Sequence, residues 1–199
     1  MKKIIFAITI STIVLISCNG DKSKSDVSQN NIAKDTSTTK SQANDTTAAI
    51  KEANAKVSIK EIVNNYLQLK NAFTKDNSTD AATVGTIMEA TFTNFDNTSL
   101  NADQRKTFED IADDAREHAE HIGKNGGNIE HQREHFEMLS KDMYDLVKAF
   151  GGGQVLYKDF CPMYNKGKGA FWISETKEIK NPYLGKDMPT CGVVKETMK

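Results

Sequence analysis

Cys161, Met163, Met188 and Cys191 place four sulfur side chains in two short, turn-rich clusters near the C-terminus. Thiolate and thioether together are the donors that Cu(I) prefers, whereas carboxylate and carbonyl sites suit harder ions. Met163 neighbours Cys161 and Met188 neighbours Cys191. If the two loops pack together, the four residues become one sulfur-rich site. The cysteines carry a second chemistry. In an oxidising compartment an even pair reads as a disulfide. Bridge and metal site can alternate with redox state, and both readings stand at this level.

The histidines are as concentrated as the sulfurs. His118, His121, His131 and His135 are the four in the chain, and all lie in one short window. His118 and His121 have helical i, i+3 spacing, and His131 and His135 have i, i+4 spacing, so each pair shares a helix face. A turn centred near Gly126 makes the two helices antiparallel. His121 then comes level with His131, and His118 and His135 lie about one turn further in. Two such pairs on neighbouring helices can build a metal site inside a bundle. The plainer reading is a solvated face, since Glu117, Glu120, Glu130 and Glu134 are interleaved with them. His135 alone reads as an inward residue hydrogen-bonded beneath a cap. Met138 and Met143 read as gap-filling core.

Little supports catalysis. The chain has no Gly-rich phosphate loop, no nucleophile elbow and no His-Glu-x-x-His helix. Cys161 and Cys191 are too far apart for a Cys-x-x-Cys redox pair. The expected class is non-enzymatic. The net charge of −1 is spread over interspersed signs with no basic stripe, which argues against nucleic acid as a partner.

Four helical segments must position these residues. The first spans about 58–75, with Ile59, Ile62, Val63, Tyr66, Leu67, Leu69, Lys70 and Phe73 on the helical period and a capping box from Ser58 and Glu61. The second spans about 80–95, with Thr79 or Asp80 as cap. The third, about 102–123, is capped by Asn101 with Gln104. The fourth, about 128–150, opens at Asn128 and stops at Gly151-Gly152-Gly153. Four helices with short joints predict an all-α fold, an up-down-up-down four-helix bundle. From about 151 a turn-rich, irregular C-terminal cap follows, with room for one short hairpin and with Trp172 and Tyr183 as its aromatic anchors.

The N-terminus predicts export. Lys2-Lys3, an apolar run over 4–16 and Ser17 before Cys18 read as a signal peptide over residues 1–17. Residues 19–56 hold almost no large apolar side chain, so they predict a flexible tether. The folded domain is then 57–199.

Several motifs resemble a known family. They are Tyr66-Leu67-x-Leu69-Lys70, Gln132-Arg133-x-His135-Phe136-x-x-Leu139-Ser140, Tyr157-x-x-Phe160-Cys161-Pro162-Met163, Gly169-Ala170-Phe171-Trp172-Ile173-Ser174, Ile179-x-Asn181-Pro182-Tyr183 and Met188-x-x-Cys191-Gly192. The pattern resembles an uncharacterised bacterial lipoprotein domain that also occurs fused to heavy-metal efflux adaptor proteins of the copper/silver type. Leu15-Ile16-Ser17-Cys18 likewise resembles the lipobox, which implies that Cys18 is lipidated. The resemblance implies metal handling by analogy. The expected function is an exported, membrane-anchored lipoprotein that faces the periplasm or cell surface. It would bind a soft metal, with copper as Cu(I) the leading ion, and act as a buffer or as a delivery partner for an efflux adaptor. The rival is an interaction or structural domain closed by a Cys161–Cys191 disulfide. The anchor has a direct test. Cys18→Ser should move the protein from membranes to the soluble fraction, and unchanged membrane association of the variant rejects the lipobox.

Overall fold

The computed structural model describes residues 58–199; the signal peptide, Cys18 and the tether expected over residues 1–56 lie outside the described residues. Four long helices follow in chain order: α1 (Lys60–Thr74), α2 (Ser78–Thr93), α3 (Ala102–Lys124) and α4 (Ile129–Phe150). Among the described residues no helix is long and apolar enough to cross a membrane.

The caps follow the expected chemistry only in part. Asn101 and Gln104 form the reciprocal box, with Gln104 N–H donating to Asn101 Oδ1 (2.9 Å) and Asn101 N–H to Gln104 Oε1 (3.1 Å). Asn128 accepts from His131 N–H at 3.3 Å. The Ser58–Glu61 box does not form. Buried Ile59 occupies the cap position at φ −86 and ψ 18, which leaves Ser58 one residue too early. On α2 the cap is Asn77, which accepts from Asp80 N–H at 3.0 Å, rather than Thr79 or Asp80. The helix therefore starts about half a turn before its apolar pattern does.

The apolar stripes meet in one core. Tyr66, Leu69 and Phe73 of α1, Met88 of α2, Ile122 of α3, and Phe136, Leu139, Met143 and Leu146 of α4 are fully enclosed. Phe136 stacks on Tyr66 (ring centroids 5.2 Å apart) and tilts against Phe73 (5.0 Å). Lys70, which falls on the α1 stripe, is buried as the period requires and pairs with Glu175 at 2.8 Å. Helices α2 and α3 touch through backbone. A Cβ on Gly85 would stand 2.8 Å from Gly123 N and 2.9 Å from Ala119 O. The absence of side chains there lets the last turns of α3 close on α2.

The fold is helix-rich but not all-α. Beyond Gly151, which leaves the helix at φ 78, the chain builds a three-stranded antiparallel sheet of order β2-β1-β3. Its strands are β1 (Leu156–Cys161), β2 (Ala170–Ser174) and β3 (Val193–Met198). The β1–β2 hairpin was legible as extended pieces. Strand β3 was not, because Val193-Val-Lys-Glu-Thr-Met198 is a partly exposed edge whose charged residues hide its alternation. It is recruited by the free edge of β1, with Tyr157 opposite Thr197 and Phe160 opposite Val193.

Side chains fasten this cap to the bundle. Trp172 and Tyr183 are buried. Tyr66 Oη accepts from Ile173 N–H (3.1 Å) and bonds Ser140 Oγ (2.8 Å), while Tyr183 Oη–H donates to Phe171 O (2.6 Å). Arg133 donates from Nε to Pro182 O (2.8 Å) and from Nη2 to Phe73 O (3.0 Å) and Asp76 Oδ1 (2.6 Å). Asp76 Oδ2 in turn accepts Lys186 N–H at 3.0 Å.

Candidate metal centre

The α3–α4 hairpin carries the four histidines, and a buried amide sets its register. Gln132 has no solvent exposure. Its Nε2 donates to Ile122 O (3.0 Å) and Ser78 O (3.1 Å), and its Oε1 accepts Ser78 Oγ–H (2.6 Å). Ile122 follows His121 and Gln132 follows His131. One hydrogen bond thus brings the C-terminal turns of α3 level with the first turns of α4.

The imidazoles converge around His135. Its ring lies 4.3 Å from that of His121, stacked at 7°, and 4.7 Å from that of His131. One nitrogen each from His121, His131 and His135 can be chosen so that all three lie within 4.8 Å of one another. The fourth ring joins through His118 Nδ1, 3.3 Å from His135 Nδ1. Two nitrogens bound to one tetrahedral ion at zinc-like bond lengths stand about 3.3 Å apart, so this pair already has ligand spacing. The remaining pairs need side-chain rotation of the kind half-buried rings allow. Carboxylates face the outer sides of three rings: Glu134 Oε2 at 3.3 Å from His131 Nδ1, Glu117 Oε1 at 3.9 Å from His121 Nε2, and Asp142 Oδ2 at 3.8 Å from His118 Nε2.

Protonation follows from crowding. Burial first, and then the facing His121, His131 and His118, push His135 down to about 4, against an opposing pull from Glu134. Burial is also the leading cause that lowers His118, with Glu117 and Asp114 opposing. Asp142 moves the other way. Burial, and then the Asp114 and Asp145 carboxylates, push it up to about 7. A neutral His135 near pH 7 is in the form that ligates metal.

The sulfur residues gather at the far end of β1. Cys161 is fully buried, Cys191 is half-buried, and their Sγ atoms lie 2.7 Å apart. That approach brings the pair within reach of a disulfide. Asn181 Nδ2 donates to Cys191 O (2.7 Å), which holds the tail turn beside β1. Met163 is 58% exposed and Met188 43% exposed. Both neighbour Cys191 through backbone: Met188 O accepts its N–H at 3.1 Å, and Met163 N–H faces its sulfur. The expected eight residues therefore divide into a histidine group and a cysteine pair with two exposed thioethers beside it. Asp142 went unnoticed in the sequence, although it lies two helical turns beyond His135 and so on the same face of α4.

A domain of the family described as a protein of unknown function, DUF3347, is found at residues 62–154. The match covers α2, α3, α4, all but the first two residues of α1 and the whole histidine group, and ends before the sulfur-bearing tail. No curated protein and no solved structure matches the chain.

Two measurements follow from this geometry. Because His135 is held neutral in the fold, its contribution to stability is complete above its ordinary value of 6.5. That contribution is lost as pH falls toward about 4, since the unfolded chain takes up the proton first. Denaturation midpoints should drop through this window, and His135→Gln should flatten the slope; an unchanged slope assigns the proton uptake elsewhere. For the cysteines, a bridge across some thirty residues contributes about 2–4 kcal/mol. Cys161→Ser should lower the unfolding free energy by about that amount without reductant and by much less with it. Equal losses under both conditions would mean that packing, not a bridge, makes the difference.

Proposed function

We propose that this chain is an exported lipoprotein whose helical domain binds a transition-metal ion, copper foremost, as a buffer or as a delivery partner for an efflux adaptor. The observation that carries the reading is the convergence of His118, His121, His131 and His135 around one point between α3 and α4. Imidazole suits copper, zinc and nickel alike, and divalent copper stands highest in the affinity order. Crowding supports the same reading. Four basic rings gathered this closely repel once protonated, whereas a bound cation turns their lone pairs to use. Export and the lipid anchor rest on the signal-like N-terminus and on Cys18. The efflux role rests on the resemblance alone.

The Cys161–Cys191 approach favours a structural bridge over a Cu(I) thiolate site, which needs both thiols reduced. Reduced, the pair remains a candidate soft-metal site with Met163 and Met188. If the bridge alone matters, the domain is an interaction or structural module.

Calorimetric titration of the oxidised protein with Cu(II) separates these readings. One ion per chain is expected, and His135→Ala should reduce affinity by at least about 10–100-fold, the cost of losing an outer partner of a ligand. Anaerobic Cu(I) binding that needs reduced thiols and survives His135→Ala would move the site to the sulfurs. No binding of either ion would leave the interaction module.

A further inference from the structure

We infer that Asp142 is a positioning residue for the histidine cluster: its carboxylate holds the Nε2–H of His118 and so aims the Nδ1 lone pair of that ring into the metal site. The inference rests on the metal reading for its purpose, but its geometry stands separately. His118 presents its two nitrogens to different neighbours. Nδ1 is 3.3 Å from His135 Nδ1, inside the cluster, and Nε2 is 3.8 Å from Asp142 Oδ2, outside it. Only one of the two nitrogens of a neutral imidazole carries a proton, and the acceptor on one side decides which. A carboxylate beside Nε2 draws the proton there. His118 Nδ1 is then left as the acceptor for His135 Nδ1–H in the free protein, and as a lone pair for an ion when one binds.

The other two carboxylates near the cluster cannot do the same work. Glu117 and Glu134 lie on the same helices as their histidines, one turn away, with side chains 63% and 68% exposed. Water competes for such pairs, and they hold a ring only loosely. Asp142 reaches across from α4 to a histidine on α3, and its side chain is 21% exposed. Its Oδ2 is screened from solvent and has no hydrogen-bond partner. A buried carboxylate oxygen without a donor is costly unless a nearby N–H closes on it, and His118 Nε2 is the group in place to do so. Closing 3.8 Å to a hydrogen bond takes a movement of about 1 Å. The groups that also bear on this pair are Asp114 and Glu117 of α3 and Lys141 and Asp145 of α4. His121 also faces His118, and none of these groups hydrogen-bonds to it. The arrangement is a carboxylate–histidine–metal relay, in which the outer partner fixes tautomer and ring orientation.

The test reads the tautomer directly. In the metal-free full chain, at a pH above the value of about 7 to which burial raises Asp142 so that it is a carboxylate, long-range proton–nitrogen correlation spectra should show His118 protonated on Nε2 and bare on Nδ1. Asp142→Leu should convert it to a mixture of tautomers and weaken binding of Zn(II), used as a diamagnetic probe, by about 10–100-fold. Asp142→Asn keeps the shape of the side chain but removes the charge and offers an N–H donor to the ring. It should fold like the native chain yet shift His118 away from the Nε2–H tautomer, which separates lost orientation from a variant that merely folds badly. An Nδ1–H tautomer in the native protein, or an Asp142→Leu variant that keeps both tautomer and affinity, overturns the inference. If native protein binds no Zn(II), the metal reading fails by itself, and the tautomer in native and variant chains still decides whether Asp142 orients His118.

Discussion

The buried side chain of Gln132 is the interaction on which the rest of the arrangement depends. A primary amide without solvent must satisfy its donors and its acceptor within the protein, or the fold loses a substantial fraction of its stability. Gln132 does so against two elements at once, through Ile122 O on α3 and through both the carbonyl and the hydroxyl of Ser78 on α2. Ser78 Oγ also accepts Gly127 N–H from the α3–α4 turn at 2.7 Å. Sliding α4 by one residue would break these bonds together. The register of the histidine pairs is therefore a consequence of amide chemistry rather than of the imidazoles. The glycine contact between α2 and α3 acts in the same direction, because Gly85 and Gly123 remove the bulk that would hold the α3 terminus away.

The same short stretch of α4 organises the cap. Gln132 sets register, Arg133 ties Phe73, Asp76 and Pro182 together, and His135 stands at the centre of the imidazoles. Phe136 packs on Tyr66, Phe73 and Tyr183, and Ser140 joins the two buried tyrosines. Successive residues turn through roughly 100° on a helix, so one stretch can face α3, the α1–α2 turn and the tail in succession. This explains why a motif spread over nine positions carries so much of the domain. It also couples the cap to the site, since both hang on the same two turns of helix.

Electrostatics gives the cluster its character. His135 faces three other imidazoles in a half-buried setting, which resists protonation, while acidic side chains ring the outside. Imidazoles gathered inside with carboxylates on their outer sides are the arrangement that the proposed cation site would use. The cysteine pair, at the other end of β1, belongs to a different problem. It closes the tail turn on the sheet, where Asn181 and buried Trp172 already hold it.

Periodicity determined much of this protein in advance. Four helices, their approximate limits, the Asn101 box, the Gly151 stop and the buried stripe including Lys70 all follow from local pattern, because helix formation is governed by neighbours within one turn. The turn position gave the approximate level of His121 with His131 and of His118 with His135; the stack of His121 on His135 was not part of that expectation. Tertiary structure decided the rest. Ile59 displaced the expected Ser58 cap because core burial outweighs one weak hydrogen bond. Strand β3 exists because β1 offers an unpaired edge, which no local pattern in 193–198 announces. The placing of His135 at the centre and the role of Asp142 depend on how deeply α4 sinks between α3 and the cap. That depth is set by Gln132, Phe136 and the glycine contact, through packing between residues far apart in sequence.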